Sequence, residues 1–275
     1  MKNSKFPLAV EIQTISTCNA KCVICPHRQV SQDLPSGVMS MELFCRIIDQ
    51  IDPSWKCLII PYLNSEPLLD PLIIPRLRYV CSKSGNHAVE LSTNVSALTL
   101  SKQEAMTGIR LKELRLSLFG FTEKTHKLMM PGLKWKVVKQ NLDSLVRDEV
   151  FRQHIDKISM IQIEHPLVTN EDVRIAQEYC EKYSLSFNQW GFLDRSGNVE
   201  YYSNDVHHPV VFGCEQNRPL ERMHITLTGD VILCCQDWRW QNGIGNVNHQ
   251  SILDIWNGDV YDSYRKRVYA GERKQ

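Results

Sequence analysis

Three cysteines stand close together near the start of the chain: Cys18, Cys22 and Cys25, in the run Ser16-Thr17-Cys18-Asn19-Ala20-Lys21-Cys22-Val23-Ile24-Cys25-Pro26. Thiolates at this C-x3-C-x2-C spacing suit three irons of a [4Fe–4S] cluster and leave the fourth iron without a protein ligand. Most iron–sulfur proteins close all four positions with cysteine. An open iron is what a cluster needs if it is to bind and reduce a second molecule. Two other readings fit less well. A structural zinc site takes four Cys or His ligands in paired spacings. His27 offers a fourth ligand, but no zinc-finger spacing matches this run. Three cysteines packed as small apolar residues sit badly in a segment that follows an apolar run and leads into Pro26.

Such a loop needs rigid elements around it. Short β-rich runs alternate along the chain with helix-length amphipathic segments. Strands are expected over 8–15, 57–63, 88–92, 113–119, 158–164 and 185–190. Helices are expected over 41–51 with Ser40 as N-cap, over 71–82 after Asp70, and over 101–107 and 171–183. Helical patterns also run to Arg147, broken at Pro131 and Gly132. Six β/α units in series predict an α/β fold with a parallel sheet and right-handed crossovers. In barrels of this kind chemistry collects at the C-terminal ends of the strands. The cysteine loop follows the first strand and so lands on that face.

From Asp194 the pattern changes, which divides the chain into 1–193 and an extension over 194–275. Residues 194–221 are polar and turn-rich. Strands over 222–227 and 231–235 flank the turn Thr228-Gly229-Asp230, 243–247 reads as a loop, and 251–256 starts a helix.

Composition narrows the function. At 275 residues the chain is long enough for one large domain and a small appendage. The 32 Lys+Arg against 31 Asp+Glu, without a block of like charge, speak against a nucleic-acid partner or an acidic lipid surface. Met1 to Pro7 carries no signal-peptide core. No run approaches the ~20 apolar residues that span a bilayer, so a cytoplasmic location is expected. Ten cysteines in such a chain favour metal or redox chemistry over disulfides. Cys45, Cys57, Cys81 and Cys180 stand singly and read as core residues.

On its cysteine triplet the chain resembles the radical S-adenosylmethionine (SAM) enzymes, from about residue 8 to its end. The resemblance implies an incomplete, partial (β/α)6 TIM-like barrel. It also implies that the SAM amino and carboxylate groups chelate the open iron. One electron, from a donor such as flavodoxin or ferredoxin, then splits SAM into methionine and a 5′-deoxyadenosyl radical that takes a hydrogen atom from an unreactive carbon. Ile24 stands where the family usually has an aromatic residue.

Asn64-Ser65-Glu66-Pro67 occupies the place of the family's G-G-E-P run, which holds the SAM amino group. A carboxylate suits an ammonium by charge-assisted hydrogen bonding, although the tetrapeptide alone reads as a turn before a helix. Ser92-Thr93-Asn94 resembles the T-N-G segment near the ribose, and Ser117 a serine that commonly contacts SAM. On their own these are polar residues of a loop and of an alternating strand. Arg195, in Arg195-Ser196-Gly197, matches an Arg-x-Gly segment whose arginine approaches the substrate in a sugar-type dehydrogenase. A guanidinium there steadies developing oxyanion charge; the alternative is an exposed turn arginine. Glu164 and His165 end the fifth strand as acid–base candidates. Trp190, Tyr201 and Tyr202 read as core or rim packing.

Cys214, Gly229 and Cys234 match the opening of the SPASM and Twitch extensions, which hold auxiliary iron–sulfur clusters. The segments from Gly245, from Ser251 and from Tyr264, with Gly271, resemble the same modules. A zinc ribbon is the main alternative. The family next supplies a further cysteine pair, at about the point where this chain stops at Gln275. The expectation is therefore either a truncated extension or a degenerate auxiliary site, with Cys235 as a further ligand candidate.

The resemblance implies an oxidoreductase acting on a small polar metabolite, with dehydrogenation of a sugar or aminocyclitol carbinol as the specific expectation. Modification of a ribosomal peptide is the second reading. Such enzymes usually carry an N-terminal leader-binding domain, and only about seven residues precede the first strand here. A non-catalytic iron–sulfur or zinc scaffold is the third.

Overall fold

The computed structural model describes residues 4–83, 87–199 and 213–270. Tyr201, Tyr202 and Gly271 lie outside them. The first six strands are β1 (Ala9–Ile12), β2 (Leu58–Ile60), β3 (Ala88–Thr93), β4 (Glu113–Ser117), β5 (Ile158–Ile163) and β6 (Ser186–Trp190). Each pairs in parallel with the next. The sheet then continues beyond β1 through β7 (Arg222–Ile225), β8 (Asp230–Ile232) and β9 (Gly243–Asn246). Its order is β6-β5-β4-β3-β2-β1-β7-β8-β9, so it stays open. β7 runs parallel to β1, while β8 and β9 add antiparallel. The extension is thus continuous with the main sheet.

Eleven α-helical segments are described: α1 (His27–Val30), α2 (Met41–Asp49), α3 (Ile73–Ser82), α4 (Leu100–Met106), α5 (Glu123–Met129), α6 (Trp135–Arg147), α7 (Glu149–Arg152), α8 (Asn170–Lys182), α9 (Arg218–Glu221), α10 (Ile252–Trp256) and α11 (Asp259–Ala270). Ser40 caps α2 by accepting the Leu43 N–H, and Ser251 caps α10 by accepting that of Asp254. Such caps satisfy donors that the first turn leaves orphaned. The break at Pro131 and Gly132 falls between α5 and α6 as expected.

Strand alternation sorts the side chains. Val10, Ile12, Ile59, Val89, Leu91, Leu114, Leu116 and Met160 join the hydrophobic core. Between them stand Glu11, Glu90, Ser92, Glu113, Arg115 and Ser117 on the other face. A buried ion pair fastens the loops at the strand ends. Arg76 Nε donates to Asp70 Oδ2 at 2.9 Å with both side chains fully buried, and the guanidinium also reaches the carbonyls of Met39 and Ser40.

Two expectations change. Residues 243–247 are mostly strand β9, not loop: pairing with β8 supplies what the Gly-Ile-Gly sequence lacks in propensity. Cys57 and Cys180 are core residues, but Cys45 is half-buried and Cys81 exposed. The buried stripe of α3 runs through Ile73, Arg76, Leu77 and Val80, and Cys81 falls beside it. No helix among the described residues is long and apolar enough to cross a membrane.

Candidate active site

The loop carrying Cys18, Cys22 and Cys25 leaves β1 and packs against the α5–α6 turn. Lys21 and Val23 donate their backbone N–H groups to the carbonyls of Pro131 and Met129 at 2.7 and 3.0 Å. Gly132 (φ +94°) permits this approach, since a Cβ there would stand 2.8 Å from the Asn19 carbonyl oxygen. His27 Nε2 is 2.8 Å from the Ser16 carbonyl and ties the loop to itself.

Burial pushes the Cys18 thiol up to about 12. It also raises Cys22, with neighbouring Cys25 and Cys18 adding like charge, and Cys25, where the His27 backbone and Arg195 pull the other way. Three thiolates so placed need a compensating cationic centre. The donor set therefore fits a [4Fe–4S] cluster with one iron left for another ligand.

Glu66 is buried at 2 % exposure, and burial pushes its carboxyl up to about 6. Its Oε1 accepts from the Thr93 hydroxyl (2.7 Å) and the Leu68 N–H (3.1 Å), its Oε2 from the Asn94 N–H (2.7 Å). Its backbone N–H reaches the Thr17 carbonyl at 3.1 Å. The carboxylate thus joins the segment after β2 to the end of β3 and keeps accepting capacity on Oε2, while the backbone N–H ties Glu66 to the cysteine loop. Asn64 adopts φ +55°, a left-handed conformation asparagine tolerates better than most residues. Ser65 Oγ is buried without a hydrogen-bond partner. An orphaned hydroxyl beside a carboxylate of spare capacity fits an ammonium group such as that of SAM.

Thr93 and Asn94 are engaged structurally. Asn94 Nδ2 donates to Asn19 Oδ1 at 3.0 Å, within the cysteine loop. Val95 follows at φ +68°, fully buried. A β-branched residue there stores about 1–3 kcal/mol of strain; Asn141 Nδ2, donating to the Val95 carbonyl at 2.9 Å, helps hold it. Ser92 and Ser117 face each other across β3 and β4 with their hydroxyls 3.2 Å apart.

The polar face of the sheet carries a network that sequence reasoning missed. Tyr62 Oη donates to Glu90 Oε1 at 2.5 Å, and Arg115 Nη1 lies 2.8 Å from the same oxygen. Arg115 also holds Glu113 Oε2 through Nε and Nη2 at 3.1 and 3.0 Å, while Ser159 donates to Glu113 Oε1 at 2.6 Å. Burial raises the Glu90 carboxyl despite Arg115. Trp190 stands at the rim, 46 % exposed, with the Arg115 guanidinium 5.7 Å from its ring centre. The available signal was a charged residue at an alternating position in an apolar strand, as in Ala88-Val89-Glu90-Leu91.

Arg195 (φ +55°) turns its side chain to the cysteine loop: its Nε is 3.4 Å from the Ile24 carbonyl, and its charge acts on both Cys25 and Cys235. Glu164 is exposed at the end of β5; His165 beside it is 8 % exposed, and burial lowers its pKa. His165 Nδ1 accepts the Leu167 N–H at 3.1 Å.

Cys214 lies near Tyr269 of α11. A hydrogen bond with Cys235, helped by Arg218, lowers Cys234 to about 7, and the same pairing raises Cys235. Cys235 also meets His224 and Glu11. Burial opposes charge on His224, yet Glu11 and Cys235 push it up to about 9. Burial likewise opposes charge on Glu11, but His224 and Arg222 hold it near 2.

Residues 12–162 match the model of the Radical SAM superfamily, and residues 214–274 that of SPASM, an iron–sulfur cluster-binding domain. A relative from Niallia circulans, an S-adenosyl-L-methionine-dependent 2-deoxy-scyllo-inosamine dehydrogenase, is 24% identical over 275 residues, covering 96% of this chain and 88% of its own. The crystal structure of BtrN with AdoMet and 2-DOIA superposes with a TM-score of 0.63 at 18% identity, over 98% of this chain and 89% of that one. Streptococcus suis SuiB bound to the precursor peptide SuiA gives 0.72 at 15% identity, over 96% of this chain and 67% of that one. The chain belongs to the radical SAM superfamily, as an oxidoreductase-type enzyme whose cofactors are a [4Fe–4S] cluster and SAM, with a SPASM-type iron–sulfur extension.

Proposed function

We propose that this enzyme oxidises a carbinol carbon of a small, polar ring compound of the aminocyclitol or sugar class. The observation that carries the reading is the Tyr62–Glu90–Arg115–Glu113 network on the polar face of the sheet. Buried carboxylates beside a guanidinium and a phenol match a ligand rich in hydroxyl and amino groups, whereas an apolar one would strip water from these polar groups without replacing its hydrogen bonds. The name of the Niallia circulans relative, an aminocyclitol dehydrogenase, supports it.

When bound, the cluster and SAM supply a radical that removes hydrogen from carbon, once an electron arrives from a donor such as flavodoxin or ferredoxin. The chain's own residues do the rest. Glu66 and Ser65 hold the SAM ammonium, and Ser92 and Ser117 offer hydroxyls toward its sugar. Glu90 and Arg115 orient the substrate. Glu164, exposed at the end of β5, or its neighbour His165 takes the hydroxyl proton. Arg195 stabilises anionic charge next to the cysteine loop.

The test is anaerobic turnover of aminocyclitols deuterated at the carbinol carbon. The expected result is a ketone, with deuterium in 5′-deoxyadenosine and one 5′-deoxyadenosine per product. Retention of that C–H bond, or reaction only with peptides, would overturn the reading.

A further inference from the structure

We propose that Glu11, His224 and Cys235 hold a single divalent metal ion of the zinc type, in the seam where β1 meets the extension. This is independent of the substrate reading and is distinct from the cysteine-loop cluster. One ligand atom from each residue, a carboxylate oxygen, an imidazole nitrogen and a thiol sulfur, lies within 4.8 Å of the other two. Tetrahedral zinc with bonds of about 2.0–2.3 Å sets its ligand atoms about 3.3–3.8 Å apart. Small side-chain movements close that gap. The corners of an iron–sulfur cubane point away from one another, so three donors this close converge on one ion.

The strand register brings two of the donors together: Glu11 on β1 and His224 on β7 are direct partners in the parallel ladder. His224 is fully buried, and neither ring nitrogen has a hydrogen-bond partner; its Nε2 stands 3.5 Å from Glu11 Oε1. Glu11 faces Nε2 as an ion-pair partner without hydrogen-bond geometry, and a metal would take the proton's place on one of the ring nitrogens. The donors also balance charge: a carboxylate, a thiolate and a neutral imidazole together neutralise a divalent ion.

Other charged groups face the site. Arg222 Nη1 donates at 3.0 Å to Glu11 Oε1, the oxygen that also faces His224 Nε2, as outer partners of metal-bound carboxylates do. Arg218 and Arg195 lie near Cys235. A mixed oxygen, nitrogen and sulfur set suits a borderline ion over calcium, magnesium or copper(I). Cys214 and Cys234 are not in the group, so they remain for the iron–sulfur function of the extension. The ion would pin β7 and the turn after β8 to the strand that feeds the cysteine loop.

The experiment uses the full chain, reconstituted anaerobically with iron and sulfide and then given zinc. X-ray absorption at the zinc edge should show one retained zinc with a single sulfur neighbour and nitrogen or oxygen ligands including imidazole. Cys235→Ser should remove the sulfur signal, His224→Gln should weaken zinc binding by roughly 100-fold or more, and Cys214→Ser should leave the site intact. Glu11→Gln, checked for native circular dichroism, should also lose affinity, which covers a His224 variant that fails to fold. A zinc shell of several sulfurs, loss of zinc in Cys214→Ser, full affinity in folded Glu11→Gln, or no retained zinc would each overturn the proposal.

Discussion

The Glu66 carboxylate accepts the backbone N–H of Asn94 at 2.7 Å, and this contact, with that from the Thr93 hydroxyl, joins the loop after β2 to the end of β3 beside the cysteine triplet. The acidic residue that the sequence assigns to SAM is therefore also a structural clamp. In Glu66→Gln an amide NH2 group replaces one of the two accepting oxygens. The loss should cost about 1–3 kcal/mol of stability and weaken SAM binding while the cluster's absorption persists. Denaturant unfolding and a SAM titration measure the two effects separately; unchanged values in both would remove Glu66 from both roles.

Gly132→Ala should damage the cysteine loop from outside it. The new Cβ would stand 2.8 Å from the Asn19 carbonyl, at a φ of +94° that L side chains rarely adopt. The expected outcome is reduced iron per chain after reconstitution and a loss of more than ~1 kcal/mol in stability. Wild-type iron loading would mean that the α5–α6 turn does not shape the loop.

Asp172 takes up donors from three places. It accepts the N–H groups of Phe121 and Thr122 at 2.9 and 2.7 Å and Gln162 Nε2 at 2.9 Å, with its side chain fully buried. Asp172→Ala orphans two backbone donors and an amide, and should cost roughly 3 kcal/mol or more. A shift in the urea midpoint reads this directly. A loss under ~1 kcal/mol would show that water replaces the carboxylate.

His126 gives the fold an acid-sensitive point. It is fully buried against Trp135, with ring centres 5.0 Å apart, and burial lowers its pKa from 6.5 to about 4. The unfolded chain therefore binds the proton more readily. Stability from this group is complete above pH 6.5 and is lost as pH falls from 6.5 towards 4, by up to about 3 kcal/mol. His126→Leu should flatten that part of the profile. Parallel unfolding curves for variant and wild type between pH 7.5 and 5 would contradict the assignment.

Local pattern made much of this molecule legible. The six strands β1 to β6 and the helices between them follow from periodicity and capping residues such as Ser40. The cysteine triplet needs only its own spacing. What stayed hidden depends on register between distant segments. Glu11 and His224 become neighbours only because β7 adds to β1. β9 is glycine-rich and becomes a strand only through β8. Val95 in a left-handed conformation contradicts its own preference, and only the loop it closes explains it. The Glu90–Arg115 pair is invisible for the same reason: each reads as an isolated charge until β3 and β4 align.

The central claim is that Cys18, Cys22 and Cys25 hold a cluster that cleaves SAM. The most direct measurement is 5′-deoxyadenosine formation by anaerobically reconstituted, reduced protein, compared with Cys22→Ala prepared identically. The account predicts cleavage by the wild type and none by the variant, because two thiolates do not retain the cluster. Undiminished cleavage by Cys22→Ala, or none by a fully iron-loaded wild type, would contradict it.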